Sequence, residues 1–130
     1  MDTAESNILQ VTPMLHIPRL AEARHFFETV LGFRVTFAME GYFYCERGQA
    51  AVRVVEDPAT PEAREQKHTR TTVYFDVQDV DALYAELQTQ LETLPEGHIN
   101  PPKNYHWKQR ELHVQMPDGN VLAFGQAINE

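Results

Sequence analysis

The sequence contains a single cysteine, Cys45, so it cannot form an internal disulfide. It has neither the Cys-x-x-Cys nor the His-Glu-x-x-His spacing that commonly binds zinc. A glycine-rich phosphate loop and a Gly-x-Ser-x-Gly elbow are also missing. Cys45 lies in the strand-like stretch YFYCE, which favours inert packing over a role as a nucleophile. Function therefore has to be inferred from the organisation of the whole chain.

Long apolar runs are absent too, since none approaches the ~20 residues of a membrane span. The N-terminal MDTAESN is acidic and has no basic flank with an apolar core, so no signal peptide is predicted. Basic residues are few: 11 Lys and Arg against 19 Asp and Glu give a net charge of −8, which repels nucleic-acid phosphates. We predict a cytoplasmic protein without a nucleic-acid or membrane partner. The charge would permit a cationic small molecule.

Strand and helix patterns occur in the same order in both halves of the chain. Residues 8–17 and 71–77 each alternate apolar and polar side chains, which predicts half-buried strands. A helical apolar stripe follows each strand, over residues 19–31 in the first half and from Val80 to Leu91 in the second. Asp79 is placed to cap the second helix. Further strands are predicted at residues 33–38, 42–46, 50–56, 110–116 and 121–125.

The two halves form an internal repeat with a period of about 60 residues. Module one spans residues 8–56, a polar connection spans residues 57–69, and module two spans residues 70–127. Residues 93–106 hold three prolines and a glycine, so they are too interrupted for a long element, although a short strand fits there. A chain of 130 residues is predicted to be one domain.

The leading strand of each module has one apolar face, which a helix can cover, and one mixed face. The mixed faces carry Thr12, Met14 and His16 in module one, and Thr72, Tyr74 and Asp76 in module two. Two such faces predict a shared concavity, the usual setting for a small ligand. The fold class is therefore α+β, with two βαβββ modules whose curved mixed sheets enclose a cavity.

Three segments, RLAEARHFFETVLGF, VYFDVQDVDALYAEL and MPDGNVLAFGQ, occur in the order and spacing of a known family. Together they resemble the vicinal oxygen chelate superfamily, which comprises glyoxalase, bleomycin resistance and dioxygenase proteins. The resemblance covers residues 8–127 and implies the fold described above.

For the superfamily's enzymes, the resemblance implies a divalent metal held by four ligands, one from each of four strands that face the cavity. Carried over singly, the first ligand falls on Thr12, and the second on Ala51, or on Arg53 if the register shifts by one pleat. The third falls on Thr72 and the fourth on Ala123. None of these is the carboxylate or imidazole that such a cation needs. We predict that the inherited metal site is absent and that no cofactor is used.

The bleomycin resistance proteins typify the non-metal branch of this superfamily. The resemblance implies homodimers that bind a cationic glycopeptide in clefts between subunits and sequester it without chemistry. The closing WKQRELHVQMPDGN is similar to that branch, in which a Trp precedes Arg-Glu and a turn containing Asp, Pro and Gly. Two residues separate Trp107 from Arg110, and MPDG replaces the common Asp-Pro-Asp-Gly. We predict a metal-independent homodimer that sequesters a small molecule in an aromatic-lined cleft.

Candidate ligand-binding residues follow from strand alternation. Trp107, between Tyr105 and a strand, fits both a stacking platform at the cavity rim and a dimer contact. Tyr42 and Tyr44 alternate with Phe43, so the rings fit either the core or the cavity. A buried negative charge for a cationic ligand could come from Glu111 or Asp76. The candidates are Trp107, Tyr42, Tyr44, His16, Tyr74, Asp76, Arg53, Glu111 and His113.

An alternative function uses some of these polar residues as metal ligands. A metal-dependent glyoxalase-like lyase, isomerase or dioxygenase could bind iron or zinc through a set that was not inherited. Nothing in the spacing fixes a triad, so a polar cavity lining is the favoured interpretation, and whether the protein is an enzyme stays open. The members of this set are His16, Glu46, Asp76, Glu111 and His113.

Overall fold

The structure is a computed structural model that describes residues 7, 9–57 and 71–129. The predicted connection at residues 57–69 lies outside the described residues, except for Asp57. Module one consists of β1 (Met14–Ile17), α1 (Leu20–His25), β2 (Arg34–Met39), β3 (Tyr42–Arg47) and β4 (Ala50–Glu56). Module two consists of β5 (Thr72–Asp76), α2 (Val80–Leu91), β6 (Ile99–Tyr105), β7 (Gln109–Gln115) and β8 (Val121–Ala127).

Each module forms one mixed sheet of four strands, in the orders β1-β4-β3-β2 and β5-β8-β7-β6. The first strand of each module pairs in parallel with the last, and the other pairs are antiparallel. This arrangement confirms the predicted α+β fold of two βαβββ modules. The two sheets do not close onto each other, and their edges remain separate.

Helix α1 continues into a π-helical turn over Phe26–Val30. The N–H of Leu31 bonds to the carbonyl of Phe26, five residues earlier. The wider turn buries the side chains of Phe26 and Phe27 together in the core. Gly32 then takes a φ of +73°, which allows the chain to leave the helix, as its position in the sequence predicts.

Strand β1 is shorter than the alternation predicted. Pro13 directly precedes it and has no N–H to donate, and the strand lies at a sheet edge, as the proline indicates. Leu15 and Ile17 are buried as expected, but Leu9 and Val11 are 92% and 90% exposed. The half-buried strand predicted over residues 8–17 is therefore wrong for the part before Pro13.

The interrupted segment before Trp107 forms a full strand, β6, rather than a short one. Its two prolines, Pro101 and Pro102, fall within a shift of register between Asn100 and Lys103. Strand β6 is also the edge of its sheet. A missing N–H is tolerated at a sheet edge or a bulge. The prolines therefore led to the prediction of a shorter strand than the structure contains.

One face of each sheet packs under its helix and forms the core. Cys45 is fully buried in that core. Burial, with the nearby carboxylates of Glu28 and Glu46, raises the pKa of its thiol to about 12. The thiol therefore stays protonated, which agrees with the predicted packing role. In the described part of the chain, no helix is long and apolar enough to cross a membrane.

Candidate functional site

The face of the first sheet opposite α1, which no described helix covers, is rich in aromatic and methionine side chains. Directly paired residues on adjacent strands point to the same side of a sheet. Pairing across four strands therefore aligns two rows on this first open face. One row is Met14, Arg53, Tyr44 and Phe37, and the next is His16, Val55, Tyr42 and Met39.

Polar contacts on the first open face converge on Arg53. Its Nε donates to Thr12 Oγ1 at 2.9 Å, and its Nη1 donates to the hydroxyl of Tyr42 at 2.7 Å. The guanidinium carbon lies 4.9 Å from the ring centroid of Tyr44, which is a cation–π arrangement. Three of the predicted ligand-binding residues therefore form one cluster, in which both tyrosines lie on the open face while Phe43 packs in the core.

The corresponding face of the second sheet is organised around Glu111, which is only 4% exposed. Its Oε2 accepts hydrogen bonds from the Trp107 indole Nε1 and the Tyr74 hydroxyl, both at 2.9 Å. Its Oε1 lies 2.8 Å from Nε2 of His113. Tyr105 stacks on the rings of both Trp107 and His113, at centroid distances of 4.6 and 5.5 Å. We call these five residues the Glu111 cluster.

The hairpin turn between β6 and β7 positions Trp107. Lys108 adopts a φ of +69°, and its N–H bonds to the carbonyl of Tyr105 to close the turn. Trp107 therefore lies at the tip of the hairpin, where its side chain is 49% exposed. The indole N–H is fixed by Glu111, four residues along the chain, while part of the ring stays accessible for stacking.

Tyr74 reaches Glu111 by crossing over Gly125. A Cβ atom added at Gly125 would lie 1.6 Å from the Tyr74 hydroxyl, so only glycine leaves room for the phenol in this position. Gly125 is the residue between Asp76 and Glu111 in the sheet register. The missing side chain opens the path along which the tyrosine joins the Glu111 cluster.

Two titratable groups of the cluster are shifted. Burial acts to raise the pKa of the Glu111 carboxyl, but hydrogen bonds from Trp107, His113 and Tyr74 outweigh it, so the pKa lies below its usual range. Burial and the hydrogen bond to Glu111 raise the pKa of Tyr74 to about 12. The cluster therefore holds an ionised carboxylate bound by a protonated phenol at neutral pH.

This lowered pKa predicts a dependence of stability on pH. A carboxyl group with a depressed folded pKa stabilises the fold fully above its unfolded pKa, about 4.3, and loses that contribution as the pH falls through the folded value. We expect the stability difference between wild type and Glu111→Gln to shrink steadily in acid. Urea unfolding of both proteins from pH 7 downwards would measure it. A difference that stays constant across the acid range would contradict the assignment.

The structure brings some predicted site residues together and leaves others apart. Arg110 and Glu111 point to opposite faces of β7, since Arg110 pairs with Asp81 on α2 whereas Glu111 accepts a hydrogen bond from Tyr74. His16 lies on the first open face, exposed, with Nδ1 3.9 Å from an Asp57 carboxylate oxygen. Asp76 lies exposed on the second open face.

The side chains of the alternative metal set do not come together. Of the alternative set, only Glu111 and His113 are in contact, because Glu46 bonds Thr36 and His16 lies on the other sheet. Among the described residues, no group of three or more His, Cys, Asp or Glu side chains is arranged to hold a metal ion.

The four positions carried over from the superfamily's enzymes do not fit a metal. Thr12 is hydrogen-bonded to Arg53, so the first two positions, in the shifted register, are neighbours occupied by a hydroxyl and a guanidinium. Ala51 and Ala123 offer only methyl groups, and Thr72 is exposed. These side chains lack the carboxylate and imidazole donors that such a cation requires.

A cleft of about 1030 Å³ separates the two modules. Its walls come from the start of β4, the exposed edge of β5 and the apolar side of α2. Of the predicted ligand-binding residues, Tyr74 and Asp76 line it, so the cleft meets the Glu111 cluster at Tyr74, whereas the cluster around Arg53 lies outside. Phe33, Phe75 and Phe124 also line the cleft, so aromatic side chains occur both there and on the open faces of the sheets.

A family model described as the glyoxalase/bleomycin resistance protein/dioxygenase superfamily matches residues 8–124. The chain belongs to this superfamily. That membership confirms the resemblance in the three sequence segments. No curated protein sequence matches the chain significantly.

Solved structures with the same fold include ligand-binding proteins and an enzyme. A bleomycin-binding protein complexed with bleomycin superposes with a TM-score of 0.75 at 21% identity, covering 95% of this chain and all of the other. The bleomycin-binding protein from Streptomyces verticillus with copper(II)-bleomycin gives 0.73 and 21%, covering 95% and 98%. A lactoylglutathione lyase from Agrobacterium tumefaciens gives 0.66 and 17%, covering 92% and 94%. At these identities the likeness establishes the fold alone.

Sequence reasoning missed three contributors to the two open faces. Tyr105 was noted only as a neighbour of Trp107, Gly125 had no assigned role, and Lys103 was not considered, although its amine lies 5.1 Å from the Tyr105 centroid. If β6 and β7 had been predicted as a hairpin, strand alternation would have placed Lys103 and Tyr105 on the same face of the sheet as Glu111. For Gly125, a glycine inside a predicted central strand was the available signal, since it often marks close approach of another group.

Proposed function

We propose that the protein binds and sequesters a small molecule, without a metal, on the open faces of its two sheets. The Glu111 cluster is the observation that carries this proposal. An almost buried carboxylate fixes the rings of Trp107 and Tyr74, and Tyr105 stacks on Trp107 on a face that none of the described helices covers. Prearranged rings reduce the ordering cost of binding, so a planar ligand can stack with little rearrangement.

We further propose that two copies of the chain form a homodimer in which the open faces line shared clefts. Large apolar side chains on these faces, including Phe37 and Met39 at 55% and 61% exposed, would otherwise contact water. Exposed apolar patches of this kind mark interaction or ligand surfaces. Sedimentation at micromolar concentration is expected to give a species of twice the 15.0 kDa chain mass. A monomer at that concentration would remove the dimer from the proposal.

The predicted cationic ligand would have to contact Asp76. Glu111 already accepts three hydrogen bonds, from Trp107, Tyr74 and His113, so little of its charge is available to a ligand. Asp76 is exposed on the same sheet face and forms no hydrogen bond or ion pair among the described residues. It is the carboxylate that could pair with a positive group on the ligand.

Calorimetric titration with metal-free and copper(II)-loaded bleomycin tests the proposal. We expect at least one form to bind, and we expect Trp107→Ala to weaken binding at least tenfold because a stacking surface is lost. Leu9→Ala, which removes an exposed apolar side chain that precedes β1 and belongs to neither row of the first open face, is the control for general loss of surface. Equal affinity of wild type and Trp107→Ala would contradict the role of Trp107.

A metal-dependent enzyme is the alternative, and the shared fold of the lyase keeps it open. Elemental analysis of purified protein, with and without prior chelator treatment, distinguishes the two. One tightly held transition metal per chain would favour the enzyme, whereas bleomycin binding that survives chelation would favour sequestration. The predicted cytoplasmic location stays a prediction.

A further inference from the structure

Arg53 is unusual among the arginines that the structure describes, because it is half-buried and has no ion pair there, whereas Arg34, which also has none, is exposed. Arg19, Arg24, Arg47 and Arg110 each form an ion pair with an aspartate or glutamate. Arg53 is half-buried and forms no ion pair within the described part of the chain. Its hydrogen-bond acceptors are two neutral hydroxyl groups, those of Thr12 and Tyr42. A guanidinium is therefore held in place without a compensating negative charge from any residue that the structure describes.

The acids nearest in the sheet register do not neutralise Arg53. Glu46 lies two residues from Tyr44 on β3, opposite Ala51, and accepts a hydrogen bond from Thr36. Glu56 accepts from the backbone N–H of Leu20 at the start of α1. In a chain with a net charge of −8, a half-buried guanidinium without an acidic partner among the described residues distinguishes this position from the exposed Arg34.

The surroundings of Arg53 are apolar and partly aromatic. Its direct cross-strand neighbours are Met14 and Tyr44, and Phe37 pairs with Tyr44 on the next strand. Met14 and Phe37 are 49% and 55% exposed, so an incoming ligand can reach the row. Two contacts orient the guanidinium, through Nε and Nη1, and Nη2 has no hydrogen-bond partner among the described residues.

We infer that the first open face binds an anionic group, a carboxylate or a phosphate, attached to a planar apolar ring. The anion accepts charge-assisted hydrogen bonds from the preoriented guanidinium of Arg53, and the ring lies along Met14, Tyr44 and Phe37. This inference rests on the proposed small-molecule function and specifies the chemistry of its ligand. A cationic group elsewhere on the same ligand is compatible, because Asp76 belongs to the second sheet.

A matched set of probes tests this inference by calorimetry. The set is 2-naphthoate, 2-naphthyl phosphate and the neutral 2-naphthamide, which share one ring system. Wild type is expected to bind at least one anion ten or more times more tightly than the amide, and comparing the two anions distinguishes carboxylate from phosphate recognition. Equal affinity for all three compounds would overturn the inference.

Variants locate the preference on Arg53. Arg53→Gln is expected to abolish the preference for the anion while weak binding of the amide persists. Arg34→Gln, a neutralisation of an exposed arginine on the neighbouring part of the same sheet, is expected to retain the preference. A preference that survives Arg53→Gln would overturn the assignment. If that variant does not fold, as judged by circular dichroism, Arg53→Lys is the substitute. It keeps the positive charge but not the paired N–H donors of the guanidinium, and it is expected to reduce the preference for the anionic probes.

The failure of this inference is distinguishable from failure of the proposed function. If bleomycin or the naphthyl amide binds and depends on Trp107 while the anions show no advantage, sequestration stands and the anion site is wrong. If no compound of either set binds, both are wrong. If the anions bind through Arg53 but bleomycin does not, the anion site stands and the ligand class of the proposed function narrows.

Discussion

Replacing Glu111 by alanine is expected to lower the free energy of unfolding by about 2 to 4 kcal/mol, because three donors lose one charged acceptor. Trp107, Tyr74 and His113 all bond to this carboxylate. Two of the donors are partly exposed and can bond to water instead, which keeps the expected loss below the sum of three buried bonds. Urea unfolding monitored by circular dichroism measures the change.

Asp76→Ala is the matched control for Glu111→Ala. It removes a carboxylate from the same sheet face, two strands away in the register, but one that is exposed and has no hydrogen bond within the described residues. Its effect is expected to stay within about 0.5 kcal/mol. If the two substitutions cost the same, Glu111 does not organise the cluster.

Gly125→Ala is expected to destabilise the protein by about 2 kcal/mol through Tyr74 and not through the backbone. The new methyl group would overlap the Tyr74 phenol, which must swing away and lose its hydrogen bonds to Glu111 and Gln109. In most strands the same substitution is neutral or favourable, because alanine loses less conformational entropy than glycine. The emission of Trp107 should also change, since the cluster around Glu111 rearranges.

A double-mutant cycle separates this steric mechanism from a general defect. In a Tyr74→Ala background there is no phenol to displace, so Gly125→Ala is expected to be neutral or to stabilise by about 0.5 kcal/mol. A cost that remains near 2 kcal/mol in that background would show that the tyrosine is not the reason for the glycine.

Alternation in the sequence predicted which residues share a face, but not which atoms meet. The facing of Glu111 with His113, and of Tyr74 with Asp76, follows from a period of two residues and agrees with the strand register. The bond between Tyr74 and Glu111 spans 37 residues and requires the gap at Gly125, which depends on how β5, β8 and β7 align. No local pattern encodes such an alignment.

The two errors in the predicted secondary structure arise from the positions of strands within their sheets. Leu9 and Val11 continue the alternation of β1, yet Pro13 ends the ladder before them, and propensity alone gives no indication of where pairing stops. Pro101 and Pro102 argued against a strand that exists, since an edge position and a register shift remove the cost of a missing N–H. In both places the position of a strand within its sheet, rather than its composition, decided the outcome.

The surroundings of Arg53 were also not predictable from the sequence. The sequence placed it as an alternative position for an inherited metal ligand, and a guanidinium there argued only against a metal. The structure adds its fixed orientation by Thr12 and Tyr42 and the lack of an acidic partner among the described residues. Those features depend on three separate segments of the chain. They make Arg53 a testable anion-binding residue, whereas the sequence used it only as an argument against a metal.

A small molecule is proposed to bind beside the Glu111 cluster, and the single tryptophan allows a direct test of that binding. In a ¹⁵N-labelled sample the indole N–H of Trp107 gives one resonance, which the bond to Glu111 holds in one environment. Titration with bleomycin is expected to shift or broaden that resonance until it saturates, at the concentration at which calorimetry shows half-occupancy. An indole resonance that stays unchanged while calorimetry shows saturation, or the absence of any binding, would contradict the claim.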